Sequence, residues 1–126
     1  MSNINLITPP DKLYNKNSSI LLINPSNQLR LELQNLLKNN KLYLDIYLYE
    51  VNNDNHEFTW LLDVHRMVTW CILELENLPY EIKKIQSYLI SFGNTYFFTQ
   101  AEDILLNLIS NNKIYSLDQL KDILRG

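Results

Sequence analysis

The sequence predicts an α/β protein: a three-layer sandwich with a five-stranded parallel sheet, in the order 2-1-3-4-5, between two layers of helices. Three observations predict it. Short β-favouring runs alternate five times with segments whose apolar residues recur at helical spacing. The run "SILLI" is apolar on both faces, the mark of a strand covered on both sides. Asn24-Pro25, Asn39-Asn40 and Gly93-Asn94 punctuate the chain where a strand or helix must stop. Alternating β-α units give one parallel sheet with right-handed crossovers.

Residues 1–17 read as an extended arm, because Pro9-Pro10 forbids a helix and the polar residues after it offer no periodic face. Its Leu6, Ile7, Leu13 and Tyr14 are candidates to pin it to the body or to a partner, and its removal is expected to leave the fold intact. Residues 18–126 form the single α/β domain. "SSILLINP" is the first strand, and Ser26 or Asn27 caps a helix bearing Leu29, Leu33, Leu36 and Leu37 on one face. "LYLDIYLYEV" is the second strand, and alternation places Tyr47 and Tyr49 on one of its faces. "FTWLLDVHRM" is a helix with Trp60, Leu61, Val64 and Met67 turned inward.

"VTWCILELE" is the third strand, and Leu78-Pro79 opens the helix "YEIKKIQSYLISF", which Gly93 stops. "TYFFT" is the fourth strand. "AEDILLNLIS" is a helix whose acidic start suits its dipole. "KIYS" is a short fifth strand and "LDQLKDILRG" the closing helix.

A chain of 126 residues with a hydrophobic fraction of 46% is long enough to bury one core. Net charge is −3 and the only local basic pair is Lys83-Lys84, which argues against direct nucleic-acid binding. Cys71 stands alone inside an apolar run, so no disulfide framework exists, and a thiol at a strand centre is inert packing. No apolar run approaches the ~20 residues that span a bilayer, and the N-terminus has no signal-peptide pattern. A soluble, cytoplasmic protein is expected, with no membrane partner.

In such a sheet ligands sit beyond the carboxyl ends of the strands. That rim holds Asn24, Ser26, Glu50, Asn52, Glu74, Glu76, Asn77, Thr99, Gln100 and Ser116. Alternation puts Glu74 and Glu76 on one face, and a carboxylate within the sheet must be hydrogen-bonded or protonated. "NPSNQ" after the first strand has no glycine, and the chain has only Gly93 and Gly126. A phosphate-cradling loop and a dinucleotide fingerprint are therefore both absent, and no cofactor is expected. His56 and His65 lack a local Cys or His partner, so no metal site is expected.

The unit order, Thr99 at the end of the fourth strand and Pro79 after the third resemble a receiver domain of the flavodoxin-like group. The departures are specific. Receivers hold magnesium on an acidic pair after strand one, where this chain reads Asn24, Pro25 and Ser26. The phosphoacceptor aspartate position is Leu75, flanked by Glu74 and Glu76, and the lysine of strand five is replaced by Tyr115 or Ser116. The resemblance implies a degenerate receiver-like fold in which phosphoryl transfer lacks its cation. The stretches "ITPPDKLYN", "SILLINP" and "NTYFFT" are also similar to small uncharacterised proteins of marine T4-like bacteriophages, which implies a host-cell cytoplasmic or virion location.

The expected function is a non-enzymatic protein–protein interaction module, an accessory virion component or an adaptor to a host or phage protein. Leu6, Ile7, Leu13, Tyr14, Tyr47 and Tyr49 form its partner surface, with homo-oligomer formation through an edge second strand as one route. The alternative is a regulator that binds a small ligand or accepts a phosphoryl group on Asn24, Glu74, Glu76 and Thr99.

Overall fold

The computed structural model describes residues 4–7, 19–42, 44–51, 58–99, 114–115 and 117–125. The elements are β1 (Ile4–Leu6), β2 (Ser19–Ile23), α1 (Asn27–Asn39), β3 (Asp45–Tyr49), α2 (Phe58–Met67) and β4 (Trp70–Glu74). A 3₁₀ turn (Leu75–Asn77) follows. Then come α3 (Tyr80–Lys83), α4 (Gln86–Ser91), β5 (Thr95–Phe98), β6 (Ile114–Tyr115) and α5 (Leu117–Leu124).

All strand pairings are parallel, and the order is β1-β3-β2-β4-β5-β6. The five expected strands are β2 to β6, and they take the 2-1-3-4-5 arrangement. The sheet has a sixth member, β1, contributed by the N-terminal arm. Its Ile4, Asn5 and Leu6 lie opposite Ile46, Tyr47 and Leu48, and the Ile7 amide donates to the Leu48 carbonyl at 2.9 Å. The expectation that β3 is a sheet edge is therefore corrected: β1 covers one side of it and β2 the other.

Period-two alternation divides the sheet into two cores. Leu21, Ile23, Tyr49, Cys71, Leu73 and Phe97 face Leu61, Val64 and Val68 in and just after α2, and Ile82, Ile85 and Leu89 of the α3–α4 segment. Ile20, Leu22, Ile46, Leu48, Ile72 and Phe98 face Leu29, Leu33, Leu36 and Leu37 of α1 and Leu120 and Leu124 of α5. All five residues of β2 are buried, because this strand has a neighbour on each side and a helical layer on each face.

Three local expectations change. Met67 is exposed rather than inward, since α2 buries Leu61, Val64 and His65 and turns its last residue to solvent. The helix expected over 80–92 is two short ones. Ile85 leaves α geometry (φ −109°, ψ 10°), and its amide bonds the Ile82 carbonyl three residues back at 3.1 Å. The third strand ends at Glu74, after which the backbone coils into the 3₁₀ turn. Gly93 stops α4 as expected, with φ 93° in the left-handed region that glycine adopts without strain. The helix expected over 101–110 lies outside the described residues.

Ile7 belongs to the same core as Tyr49, so removal of the arm is expected to cost stability. Truncating residues 1–17 is expected to lower the urea midpoint, and Ile7→Ala alone should cost about 2 kcal/mol. An unchanged midpoint in both variants would show that β1 adds nothing to the fold.

Candidate functional site

The carboxyl rim is assembled from the end of β2, the N-terminus of α1, the end of β4 and its following turn, and the end of β5. Its central group is Glu74, only 6% exposed. Position 74 shares the alternation of Trp70 and Ile72, which aims its side chain at the α1 layer. There Glu74 Oε1 accepts from the Ser26 backbone amide at 2.7 Å, and Oε2 accepts from the Ser26 hydroxyl at 3.0 Å. Ser26 is the N-cap of α1, and its Oγ in turn accepts from the Leu29 amide at 3.1 Å.

This is a capping box closed through space. In the local form, an acidic side chain three residues into the helix reaches back to the cap's own amide. Here that position is Leu29, which is buried in the core, and the carboxylate comes from β4 instead. Three otherwise unpaired groups satisfy one another: the Ser26 amide, the Leu29 amide and a buried carboxylate. The negative charge also lies at the positive end of the helix dipole.

Glu76 takes a different course. Alternation along a continuing strand would place it beside Glu74, but the 3₁₀ turn carries it outward, where its side chain is exposed. The buried Thr99 hydroxyl donates to Glu76 Oε1, fastening the β4 exit to the end of β5. Asn24 sits in the left-handed region (φ 52°), its amide donates to the Tyr49 carbonyl at 2.8 Å, and its Nδ2 donates to the Asn77 carbonyl at 3.3 Å. All four expected ligand residues thus come to one rim. Each is engaged with protein groups: Glu74 with Ser26, Glu76 with Thr99, Asn24 with Asn77. Glu50 is exposed nearby at the end of β3, whereas Asn52, Gln100 and Ser116 lie outside the described residues. Among the described residues no cluster of three His, Cys, Asp or Glu side chains could hold a metal ion.

The expected partner residues divide. Leu6 is exposed; Ile7 and Tyr49 are interior and offer no surface; Tyr47 is half-buried; Leu13 and Tyr14 lie outside the described residues. Tyr49 packs on Trp60 of α2 with ring centroids 5.3 Å apart, which explains why both are inward. Trp70 is half-buried against the α1 side.

At the opposite end of the sheet lies a second polar group. His65 is buried on α2, with Nε2 2.7 Å from Thr95 Oγ1. The Thr95 hydroxyl donates to the Leu89 carbonyl at 2.8 Å, so towards His65 it accepts, and Nε2 carries the proton. Burial, and then the adjacent Arg66 cation, hold His65 down at about 4. Burial pushes the Cys71 thiol up to about 12, a contact with Thr95 offsetting only part of this. The thiol remains protonated at neutral pH, and a nucleophile there has no thiolate to use. Asn94 Nδ2 closes the end of α2 by donating to the His65 and Val68 carbonyls at 2.9 and 3.1 Å. His56 lies outside the described residues.

The sequence reading places Ser26 at a helix start and Glu74 at a strand end without connecting them, since 48 residues separate the two. Nor does it single out Arg30, Leu31 and Gln34. These line a groove of about 420 Å³ with Ile4 and Asn27, running along α1 from its first residue. An exposed leucine at helical position 31, out of phase with Leu29 and Leu33, is the one signal that marks it.

Ser26→Ala is expected to destabilise the protein by about 2 kcal/mol, combining the lost cap with a carboxylate oxygen left short of a donor. Ser26→Ala and Glu74→Ala should be non-additive by about 1 kcal/mol in a double-mutant cycle from urea unfolding. Strict additivity would mean that the two do not act as a unit.

His65 also makes stability depend on pH. Its folded value lies below that of the unfolded chain, so the unfolded state binds more protons between about 4 and 6.5. This stability is present above pH 6.5 and is lost as pH falls towards 4. The loss is about 2 kcal/mol. A folded His65→Gln variant should therefore show a shallower fall of the urea midpoint across that window. Equal slopes in the two proteins would contradict a neutral buried imidazole. In comparisons with protein-family models, with curated proteins and with solved structures, nothing matches this chain.

Proposed function

We propose that this protein is a non-enzymatic protein–protein interaction module, as an accessory virion component or an adaptor. One observation carries this reading. Asn24, Glu74 and Glu76 at the rim are each engaged with protein groups, while large apolar side chains stand in solvent elsewhere: Leu6, Leu31, Tyr80, Tyr88 and Phe92. Small-molecule sites are concave and present unsatisfied, convergent polar groups. At this rim a ligand for Glu74 would have to displace the Ser26 bonds and leave the Ser26 amide without its acceptor, which would destabilise the fold it binds to. Exposed aromatic and aliphatic side chains are instead the material from which protein interfaces are built.

The alternative reading, a regulator accepting a phosphoryl group on the receiver pattern, asks for acidic cation ligands after β2. Those positions hold Asn24, Pro25 and Ser26, and Leu75 stands at the acceptor position, half-buried in the 3₁₀ turn. Without a cation the charge of the transferring group is not neutralised.

The test follows the thermal midpoint of the protein with beryllium fluoride and magnesium, alone and together. The expected result is no magnesium-dependent change. A clear rise that Glu76→Gln abolishes would replace the interaction reading with the regulator.

A further inference from the structure

The open edge of β1 adjoins a groove, and together they have the form of a strand-binding site. Asn5 pairs with Tyr47 in the register of β1 on β3, and the Ile7 amide donates to Leu48. Backbone direction alternates along a strand, so the amides and carbonyls of Ile4 and Leu6 point the other way, off the sheet. β1 ends the strand order, and among the described residues no strand pairs with that side. Edge strands are commonly protected by a lysine, a proline, a bulge or their own shortness, and Ile4-Asn5-Leu6 is short but carries none of the first three.

Beside this edge, on the face towards α1, runs the groove of about 420 Å³ lined by Ile4, Asn27, Arg30, Leu31 and Gln34. Leu6 shares the alternation of Ile4 and is 60% exposed, and Leu31 is 61% exposed. A strand added beside β1 would send alternate side chains to this face, against Ile4, Leu6 and Leu31. The groove's one charged lining residue is Arg30, whose guanidinium donates to the Asn27 side-chain oxygen, and no acid lines the groove. A guanidinium has five donors, so it keeps the capacity to take a carboxylate.

We propose that the β1 edge and the α1 groove bind an extended peptide strand of a partner protein by strand addition. Apolar residues at alternate positions enter the groove, and one carboxylate meets Arg30. Backbone hydrogen bonds to Ile4 and Leu6 supply register, and the groove supplies selection. A second copy of this chain fits less well, because its own edge strand, Ile4-Asn5-Leu6, carries no carboxylate to meet Arg30. The inference rests on the interaction reading and names its site and partner class.

The experiment selects peptides from a random display library against the full chain, then measures synthetic copies of the enriched peptides by fluorescence anisotropy and by amide hydrogen exchange. The enriched peptides should alternate apolar residues and carry an acid. They should slow exchange at the Ile4 and Leu6 amides, and lose affinity about tenfold or more with Arg30→Glu and with Leu31→Lys. Both substitutions are at surface positions, and circular dichroism checks that the variants fold.

Four outcomes overturn the proposal. They are no enriched peptide, peptides indifferent to both substitutions, exchange protection elsewhere, and self-association that protects Ile4 and Leu6 without peptide. Peptides that instead lose affinity with Tyr88→Ala would remove this site yet leave the interaction reading standing. A magnesium-dependent response to beryllium fluoride bears on that reading alone.

Discussion

The constraint on which the rest of the structure depends is the complete burial of β2. Its five residues meet β3 on one side, β4 on the other, and a helical layer on each face. Every backbone amide and carbonyl of such a strand must be satisfied by a neighbouring strand, and both rows of side chains need an apolar cover. A two-layer arrangement would leave one row in water, at roughly 1.5–3 kcal/mol for each large aliphatic side chain exposed. The two cores, one under α1 and α5 and the other under α2 to α4, are the direct consequence.

The same geometry brings a hazard at the carboxyl ends of the strands, where chain direction forces polar groups towards the interior. Glu74 is that hazard resolved. Its alternation on β4 aims it at the α1 layer, and the amide of the N-cap residue Ser26 needs an acceptor at that place. A buried carboxylate and a helix N-terminus, each unfavourable alone, become a mutual solution. At the other end of the sheet, His65 is accommodated differently, as a neutral imidazole donating to Thr95. One end thus holds a buried carboxyl group on the Ser26 donors and the other holds a neutral ring on Thr95, so Glu74 and His65 each tie two elements of the fold together.

The N-terminal strand converts the β3 edge into an interior position and transfers the open edge to β1, which is short and carries no lysine, proline or bulge. Tyr80 and Tyr88 stand exposed along the α3–α4 segment, with Lys84 4.7 Å above the Tyr80 ring. That contact uses one aromatic face locally and leaves the segment a mixed basic and aromatic surface. No helix among the described residues is long and apolar enough to cross a membrane.

Composition and periodicity determined the class of fold. The run from Ser19 to Ile23 shows its burial by being apolar at every position but one. The α1 stripe of Leu29, Leu33, Leu36 and Leu37 is legible because helical spacing is local, and Gly93 marks a stop because backbone sterics are local. Only the tertiary structure decided which groups meet. The 3₁₀ turn that separates Glu76 from Glu74, the bond from Glu74 to Ser26 across 48 residues, the burial of His65 and the docking of Ile4–Leu6 beside β3 all depend on long-range pairing. Side-chain alternation states which residues share a face, but not where the strand ends or what the other elements bring to it. For that reason the sequence located the rim, and the three-dimensional packing decided that Glu74 and Glu76 are already engaged there.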